Sequence, residues 1–401
     1  MPFLSERLYF YSEIFDLYWK IFMRTLAIET SCDDTSLAIV NNKDWIFNVE
    51  KIVMYSQIQQ HIPYWWVLPE VASRLHSEKI VALVNEIWLG NIEKVDFISV
   101  TTKPGLPWSL VVGRTTAHLL AEYYHKPLVE INHIHGHIFS ILLERKVEDI
   151  ELPLVILTAS WGHNDLYVVN WETSSRTKWK ILGGTQDSSA KASEWQIPPT
   201  PLAEGGTTEQ VWPFYVTKIW YTLDDAAWEA FDKVSKMLNG PYPWWPWISA
   251  QALKWKPNEK FQFKRIFLPL KDDQIFEFSF SWMKSQVLQL LSHIEKEWKT
   301  LTEQDICDIA YEFQEATVET LWKRLIRAAK MYGAKTIAIA WWVSANKRLA
   351  EYVQELADEW NNSDYAEKKW LHVDFVHPVK NLYSTDNWAM IGVAGLLMNE
   401  K

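Results

Sequence analysis

The stretch Leu26-Ala27-Ile28-Glu29-Thr30-Ser31-Cys32-Asp33-Asp34-Thr35-Ser36-Leu37-Ala38-Ile39-Val40 decides the fold. Its two apolar runs flank a short polar turn, which is typical of a β-hairpin. A second such pattern follows at Leu154-Val155-Ile156-Leu157 and Asp165-Leu166-Tyr167-Val168-Val169, around the turn Ser160-Trp161-Gly162-His163. The repeat predicts a two-lobed α/β protein, with a cleft between lobes of related design.

Helical and strand-like runs alternate after each hairpin. Apolar spacing predicts helices over residues 69–89, 109–124, 309–331 and 345–359, and one that carries His133 and His137. Strands are predicted at 97–100, 127–131 and 336–340. The segment 183–221 is dominated by Gly, Pro, Ser and Thr, and it is predicted to be an inserted loop or subdomain.

Composition bounds the class of protein. The chain has 401 residues, a net charge of -10 and two cysteines, Cys32 and Cys307. Two cysteines make no disulfide framework, which indicates a cytoplasmic protein, and the negative charge argues against a general polyanion binder. Charged residues interrupt segment 1–22, so it is neither a signal peptide nor a membrane span. We interpret it as an extension or a misassigned start before a domain that begins at Met23.

His133 and His137 are four residues apart, so on a helix they share a face and suit one metal ion. Ile134 stands where a zinc-protease helix carries its glutamate, which argues against metalloprotease chemistry. Asp386 is the best candidate for a third ligand, with a helix N-cap as the alternative role.

Four polar segments are further candidates for chemistry. The turn 29–35 offers Asp33 and Asp34, although, taken singly, an ordinary hairpin turn is the better explanation of it. Segment 101–109 leads into a helix N-terminus, where anions bind readily, or it is simply a Pro-rich connection. Segments 224–233 and 340–347 each open a helix, and they are candidates for contacts to ribose and nucleotide or for structural helix starts.

Tryptophan is abundant where glycine would be expected. The chain has 25 Trp and 13 Gly, whereas average usage gives about 28 Gly in such a length. Paired Trp occur in turn-like stretches at 65–66, 244–245 and 341–342. Such turns favour the backbone freedom of Gly. We hypothesise that UGA codons read as glycine in the cell appear as tryptophan in this sequence.

In order and over residues 23–400, these motifs resemble the bacterial TsaD family of tRNA threonylcarbamoyladenosine transferases, once labelled glycoproteases. Residues 26–35 resemble its opening motif, and 61–70 resemble its Tyr-Gly-Gly-Val segment before Pro-Glu. The resemblance assigns the metal to His133, His137 and Asp386. It assigns the substrate loop to Ala159, Ser160, Trp161, Gly162 and His163, and nucleotide contacts to Asp232, Trp245 and Asn346.

The resemblance implies an actin/Hsp70/sugar-kinase-like fold, a duplicated α/β domain around a central cleft. The first lobe is then 23–151 and the second 152–387, with the insertion 183–221, and a C-terminal helix in 388–401 packs back on the first lobe. Eleven glycines of the family stand here as Trp, at positions 65, 66, 108, 161, 228, 244, 245, 282, 341, 342 and 388. As written, we expect their indoles to crowd the nucleotide pocket.

The implied reaction transfers threonylcarbamoyl from threonylcarbamoyl-AMP to N6 of adenine 37, in tRNAs that read codons beginning with A. A divalent ion, Fe²⁺ with Zn²⁺ as the alternative, would polarise the carbonyl, and Asp33 or Asp34 would orient the amine or accept its proton. Implied partners are tRNA, a TsaB-like paralogue and a TsaE-like ATPase, with no membrane.

Three other functions compete with this one. They are a metallopeptidase, an actin-like ATPase or kinase, and an inactive scaffold paralogue. The missing glutamate beside the histidines disfavours the first, and the presence of all three metal-ligand candidates disfavours the last. ATP turnover by the isolated chain would indicate the second.

Overall fold

The fold was obtained as a computed structural model, which describes most of the chain from residue 22 to residue 399. The described residues are 22–44, 46–64, 66–88, 91–159, 164–171, 208–211, 213–221, 225–241, 244–255, 280–296, 300–341, 347–362 and 372–399.

The first sheet has five strands. They are β1 (Met23–Glu29), β2 (Asp34–Lys43), β3 (Ile46–Ser56), β4 (Phe97–Lys103) and β5 (Leu128–Asn132), in the order β3-β2-β1-β4-β5. The predicted hairpin is β1–β2, whose register pairs Ala27 with Ala38. β4 and β5 are added in parallel, so the carboxyl ends of β1, β4 and β5 meet at one edge.

Helices cover both faces of this sheet. They are α1 (Ile58–His61), α2 (Pro69–Trp88), α3 (Pro107–Tyr124) and α4 (His133–Phe139). α2 and α3 bury an apolar cluster that includes Leu26, Ile80 and Ala117 on one face. The other face is covered by α4 and by the last helix, α10 (Trp388–Met398), which contacts β1 and β2.

The second sheet repeats this plan with six strands. They are β6 (Leu154–Ala159), β7 (Asn164–Trp171), β8 (Thr208–Val211), β9 (Phe214–Tyr221), β10 (Thr336–Ala340) and β11 (Asp374–Val376), in the order β11-β10-β6-β7-β9-β8. The predicted second hairpin is β6–β7, and β10 lies parallel to β6 with Ala340 beside Thr158.

The predicted insertion 183–221 extends too far toward its C-terminal end. Phe214–Tyr221 pairs antiparallel with β7 along its length, because alternate apolar residues such as Val216 face the core. Thr208–Val211 forms the neighbouring edge strand. Residues 183–207 of the prediction lie outside the described residues.

Five further helices accompany the second sheet, namely α5 (Ala227–Met237), α6 (Trp244–Ala252), α7 (Ser281–Lys296), α8 (Glu303–Tyr332) and α9 (Lys347–Asn361). α8 begins six residues earlier than apolar spacing predicted, because Thr302 and Asp305 form a capping box. It ends at Gly333, whose φ of 60° is left-handed.

One apolar cluster includes residues of both sheets, among them Val40 of β2, Ile156 of β6 and Ala338 of β10, together with α10. The predicted two-lobed α/β fold is therefore confirmed. Within the described part of the chain, no helix has both the length and the apolar character needed to cross a membrane.

Candidate metal centre and substrate cleft

The metal-ligand candidates His133 and His137 lie on the buried helix α4. Asn132 ends β5 and caps the helix, because its side chain accepts a hydrogen bond from the Ile134 N–H at 2.9 Å. One helical turn separates the two imidazoles, and their Nε2 atoms lie 3.0 Å apart. The spacing that sequence reasoning noticed thus places both rings side by side.

Asp386 brings the third donor from the far end of the chain. Its Oδ1 lies 3.1 Å from His137 Nε2 and 3.6 Å from His133 Nε2. The alternative role as a helix N-cap is wrong, because Asn387 caps α10 by accepting from the Met390 N–H at 3.0 Å. The cap on the next residue leaves the Asp386 carboxylate facing the histidines.

These three side chains fit a divalent ion. With metal–ligand bonds of roughly 2.1 Å, donors are about 3.0 Å apart at right angles and about 3.4 Å apart in a tetrahedron. Two of the donor separations, 3.0 and 3.1 Å, match the right-angle value, and the third, 3.6 Å, is slightly longer than the tetrahedral one. The Asp386 Oδ1 is buried yet makes no hydrogen bond of acceptable geometry, as expected of an atom placed to bind a cation. Two histidines and one carboxylate form the facial set typical of non-haem Fe²⁺ and also suit Zn²⁺.

Glu29 holds His133 in the tautomer that a metal needs. The carboxylate at the end of β1 is 1% exposed, and its Oε2 lies 3.1 Å from His133 Nδ1. It also accepts from the Ser31 N–H at 2.5 Å and from the Thr101 hydroxyl. When His133 donates through Nδ1, its Nε2 lone pair is left for the ion. Sequence reasoning missed this role, although a carboxylate that ends an apolar strand is a signal of it.

Burial and neighbouring charges shift the pKa values of all three donor side chains. Burial alone would lower the pKa of His133, but the charges of Glu29 and Asp386 outweigh it and raise the pKa to about 10. Burial and the charge on His133 lower the pKa of His137 to about 4. Burial would raise the pKa of Asp386, yet the two histidines hold it far below its usual range. A metal competes with one proton at this site.

The acidic turn lies beside the triad. Burial, followed by the charge of Asp386, raises the pKa of Asp33 from 3.8 to about 6. Burial, followed by the charge of Asp33, raises the pKa of Asp34 well above its usual value. The structure therefore brings the predicted catalytic residues Asp33 and Asp34 close to the metal candidates.

Two buried histidines, which sequence reasoning also missed, brace this turn. His76 of α2 donates from Nε2 to the Cys32 carbonyl at 2.9 Å, and its Nδ1 lies 2.7 Å from the Thr35 hydroxyl. Burial lowers the pKa of His76, which favours the neutral ring. Its Nδ1 therefore accepts a hydrogen bond from the Thr35 hydroxyl. His61 pairs with Gln57, whose N–H donates to the Asp33 carbonyl. His61 opens the motif 61–70 and His76 lies in the predicted helix 69–89, where spacing alone did not reveal these contacts.

The connection 101–109 packs on the same turn. Leu106 N–H donates to the Ser31 carbonyl at 2.7 Å. A Cβ on Gly105 would lie 2.8 Å from Ser31, so this close approach requires glycine. Trp108 is 68% exposed at the start of α3.

The predicted nucleotide-binding residues belong to the second lobe. Ala159 ends β6, and its carbonyl accepts from the Trp228 indole at 3.2 Å. Asp232 is buried on α5. Trp245 lies in α6, but its side chain is outside the described residues, as are Ser160, Trp161, Gly162, His163 and Asn346. Because β6 and β10 are parallel and in register, the loops after Ala159 and Ala340 start at the same edge of the sheet, where ligands of open α/β sheets bind.

Trp341 stands at that edge, directly after β10. Its φ is +72°, and its indole stacks on His137 with ring centroids 3.8 Å apart and an interplanar angle of 16°. The same indole meets His133 edge-on at 5.2 Å. The expected crowding is present at this position. Positions 161, 245 and 342 lie outside the described side chains.

Lys323, Arg324, Arg327 and Lys330 recur at helical spacing on α8, but this basic stripe is not a uniform solvent-facing surface. Arg324 is buried, Lys323 pairs with Glu319 at 2.7 Å, and Lys330 lies 4.1 Å from the Trp360 ring. These interactions give the stripe a structural role within the second lobe.

Comparison with known proteins decides the family. The family model for TsaD, tRNA N6-adenosine threonylcarbamoyltransferase, matches residues 48–204 and 185–393. The chain belongs to the TsaD family. It is 34% identical to the tRNA N6-adenosine threonylcarbamoyltransferase of Syntrophomonas wolfei, over 83% of this chain and 84% of that protein. It is 33% identical to the enzyme of that name from Bdellovibrio bacteriovorus, over 93% and 92% of the two chains.

Solved structures match more remotely. HypF of T. kodakarensis aligns over 93% of this chain and 47% of its own, with 12% identity and a TM-score of 0.48. A ROK family protein from Streptococcus pneumoniae aligns over 92% and 98%, with 10% identity and a TM-score of 0.42. The functional assignment therefore rests on the TsaD relatives. As a member of that family, the chain is a transferase of tRNA modification, which favours this function over the peptidase, kinase and scaffold alternatives.

Proposed function

We propose that this TsaD chain forms N6-threonylcarbamoyladenosine at position 37 of tRNAs that read codons beginning with A, with a metal at His133, His137 and Asp386. The observation that carries the proposal is the spacing of three buried donor atoms, 3.0 to 3.6 Å apart, inside a TsaD chain. Fe²⁺ is the proposed ion and Zn²⁺ the alternative. When bound, the ion supplies Lewis acidity toward the acyl carbonyl.

The reaction joins the N6 amine of adenine to the carbonyl carbon of threonylcarbamoyl-AMP. A C–N bond forms, the C–O bond to the phosphate breaks, and AMP leaves with the electron pair. The amine must lose a proton. We assign its acceptance to Asp33, because a buried carboxyl with a pKa of about 6 is mostly ionised at neutral pH and basic enough to take a proton. Asp34 then orients the amine.

The nucleotide half of the substrate is proposed to bind in the loops after β6 and β10. Ala159, Ser160, Trp161, Gly162 and His163 would form one wall, with Asp232, Trp245 and Asn346 around the ribose and base. The parallel register of β6 and β10, which starts both loops at one edge, supports this placement. The lobes are proposed as 23–151 and 152–387, with 388–401 returning to the first lobe, as the contacts of α10 with β1 and β2 support.

A TsaB-like paralogue and a TsaE-like ATPase are proposed as cytoplasmic partners. Three apolar residues of α3, Val111, Leu119 and Tyr123, are 48–71% exposed. They lie on one side of the helix, and exposed apolar side chains so placed support a protein partner.

The test uses purified chain with glycine at the eleven positions named above, supplies it with threonylcarbamoyl-AMP, metal and partners, and measures the modified nucleoside by mass spectrometry. The substrate tRNA reads a codon that begins with A, and the control tRNA reads one that does not. Modification of the first tRNA alone, without ATP hydrolysis by this chain, is expected. Peptide cleavage or ATP turnover with no nucleoside product would contradict the proposal.

A further inference from the structure

Among the described non-glycine residues with a left-handed backbone, Trp341 has the bulkiest side chain. It follows the last residue of β10 with a φ of +72°. The other described non-glycine residues with a left-handed φ are Asp44, His125, Glu144 and Asn239, all polar. Short polar side chains visit this region several-fold more often than bulky ones, and glycine reaches it without a Cβ clash. The backbone at 341 is therefore one that favours glycine.

The side chain at this position lies against the metal ligands. Its indole is 8% exposed, is nearly parallel to the His137 ring and contacts His133 edge-on. The two imidazoles carry two of the three donors, so the indole fills the space beside them at the cleft edge. An acyl group that must reach the ion needs room on that side of the ligand rings. A glycine would leave this room.

Other tryptophans behave differently, so the conflict is local. Trp228 lies within the helix α5, is 2% exposed and donates to the Ala159 carbonyl. Trp322 is buried in the middle of α8, among the apolar residues of the second lobe. Neither combines a left-handed backbone with contact to the metal ligands. The abundance of Trp alone would therefore not single out position 341.

We infer that position 341 is glycine in the protein that the cell makes, so that the metal ligands face an open cleft, and that its codon is a UGA read as glycine. The inference rests on the proposed function in one respect only, namely that the acyl group of the substrate occupies the space that glycine leaves. The backbone angle and the composition of 25 Trp against 13 Gly are independent of it. For the other ten family glycine positions written as Trp, the same hypothesis rests on the resemblance and the composition, and not on a backbone conflict such as that at Trp341.

The residue is tested first by peptide mass in protein isolated from its native cells. Trypsin cuts after Lys335 and Lys347 and releases the peptide 336–347, which contains positions 341 and 342. Its mass is expected to be lower than that of the written sequence by two Trp-to-Gly exchanges. A peptide that carries Trp at 341 overturns the inference, whatever the outcome of the transferase assay.

The role of the residue is tested in recombinant chain with Trp341→Gly, Trp341→Ala and, as a matched control in the core, Trp322→Gly. Trp341→Gly is expected to keep or raise the Tm and to raise Fe²⁺ or Zn²⁺ affinity at least tenfold, as measured by calorimetry. Trp341→Ala should give the same gain in metal affinity with a lower Tm than the glycine variant, because alanine keeps the Cβ. Trp322→Gly should lower the Tm. Unchanged metal affinity in both variants of Trp341, or a fall in Tm for Trp341→Gly as large as that of Trp322→Gly, would overturn the proposed role.

Discussion

The two walls of the cleft differ in how well the written sequence suits them. On the wall of the first lobe, Glu29, His133 and His137 meet Asp386 with matched donors, acceptors and charges. On the wall of the second lobe, Trp341 takes a left-handed backbone and lies against the ligand rings. The three donor side chains meet as written, whereas the backbone at position 341 favours glycine. A site can thus retain its ligand chemistry while the backbone turns that admit the substrate are lost.

The difference has a physical origin. Metal ligands act through side-chain atoms, and all three of these side chains are present in the written sequence. Cleft turns act through the absence of a side chain, and every replacement of glycine adds atoms exactly where ligand or backbone must approach. The following predictions test the contrast between the two walls, and those that measure nucleoside formation or its rate use the chain with glycine at the eleven positions.

Removing a ligand should have the largest effect. His137→Ala deletes one of three donors and is expected to abolish stoichiometric metal binding and nucleoside formation, as measured by metal content and mass spectrometry. His135→Ala is the matched control, since His135 lies on the same helix but pairs with Glu209 at 3.4 Å instead of the triad. It should keep its metal. Equal metal loss in both variants would refute the assignment of the ligands.

The acidic turn should control the pH dependence. Asp33 must be ionised to accept a proton, so the rate is expected to rise with pH to a plateau, with a midpoint at or below about 6. A bound metal offsets the charge of Asp386, which moves the midpoint downward. Asp33→Asn should abolish this rise of the rate with pH and lower the plateau rate by about 10²–10⁴-fold. An unchanged pH–rate profile in this variant would assign proton transfer elsewhere.

Loss of the Glu29 carboxylate, which contacts the ligand His133, should weaken metal binding less than loss of a ligand. Glu29→Gln removes the charge that orients His133, and an outer-shell change of this kind costs about 10–100-fold in metal affinity. Calorimetry with Zn²⁺ measures it. Glu50→Gln is the control, because Glu50 pairs with Arg24 at the surface. Equal affinities of Glu29→Gln and the unmodified chain would show that Glu29 does not position the ligand.

The smallest expected effect is a change in stability, and it distinguishes the roles of the neighbouring residues Asp386 and Asn387. Asn387→Ala removes the cap of α10 and should lower the free energy of unfolding by about 1 kcal/mol, while metal affinity per folded molecule stays the same. Asp386→Ala should do the reverse and lose the metal with little change in the stability of the metal-free chain. Denaturant titration and calorimetry on both variants test this division. A loss of metal in Asn387→Ala alone would exchange the two roles.

Much of the fold follows from the sequence because periodicity reports it directly. The repeated hairpins at 26–40 and 154–169 predicted both sheets, and the start of α8 was missed because its cap, Thr302, lies outside the apolar pattern. β9 was missed because a Gly- and Pro-rich stretch before it hid its alternation. The partners of His76 and Glu29 come from residues 41 and 104 positions away, a proximity that local spacing does not encode.

One assay tests the central claim most directly. The written chain and a version with glycine at the eleven positions are loaded with the same metal and compared in nucleoside formation from threonylcarbamoyl-AMP, with the partner subunits present. We expect that the glycine version modifies tRNA and that the written chain does not. Equal activity of the two versions, or none from the glycine version with its metal bound, would contradict it.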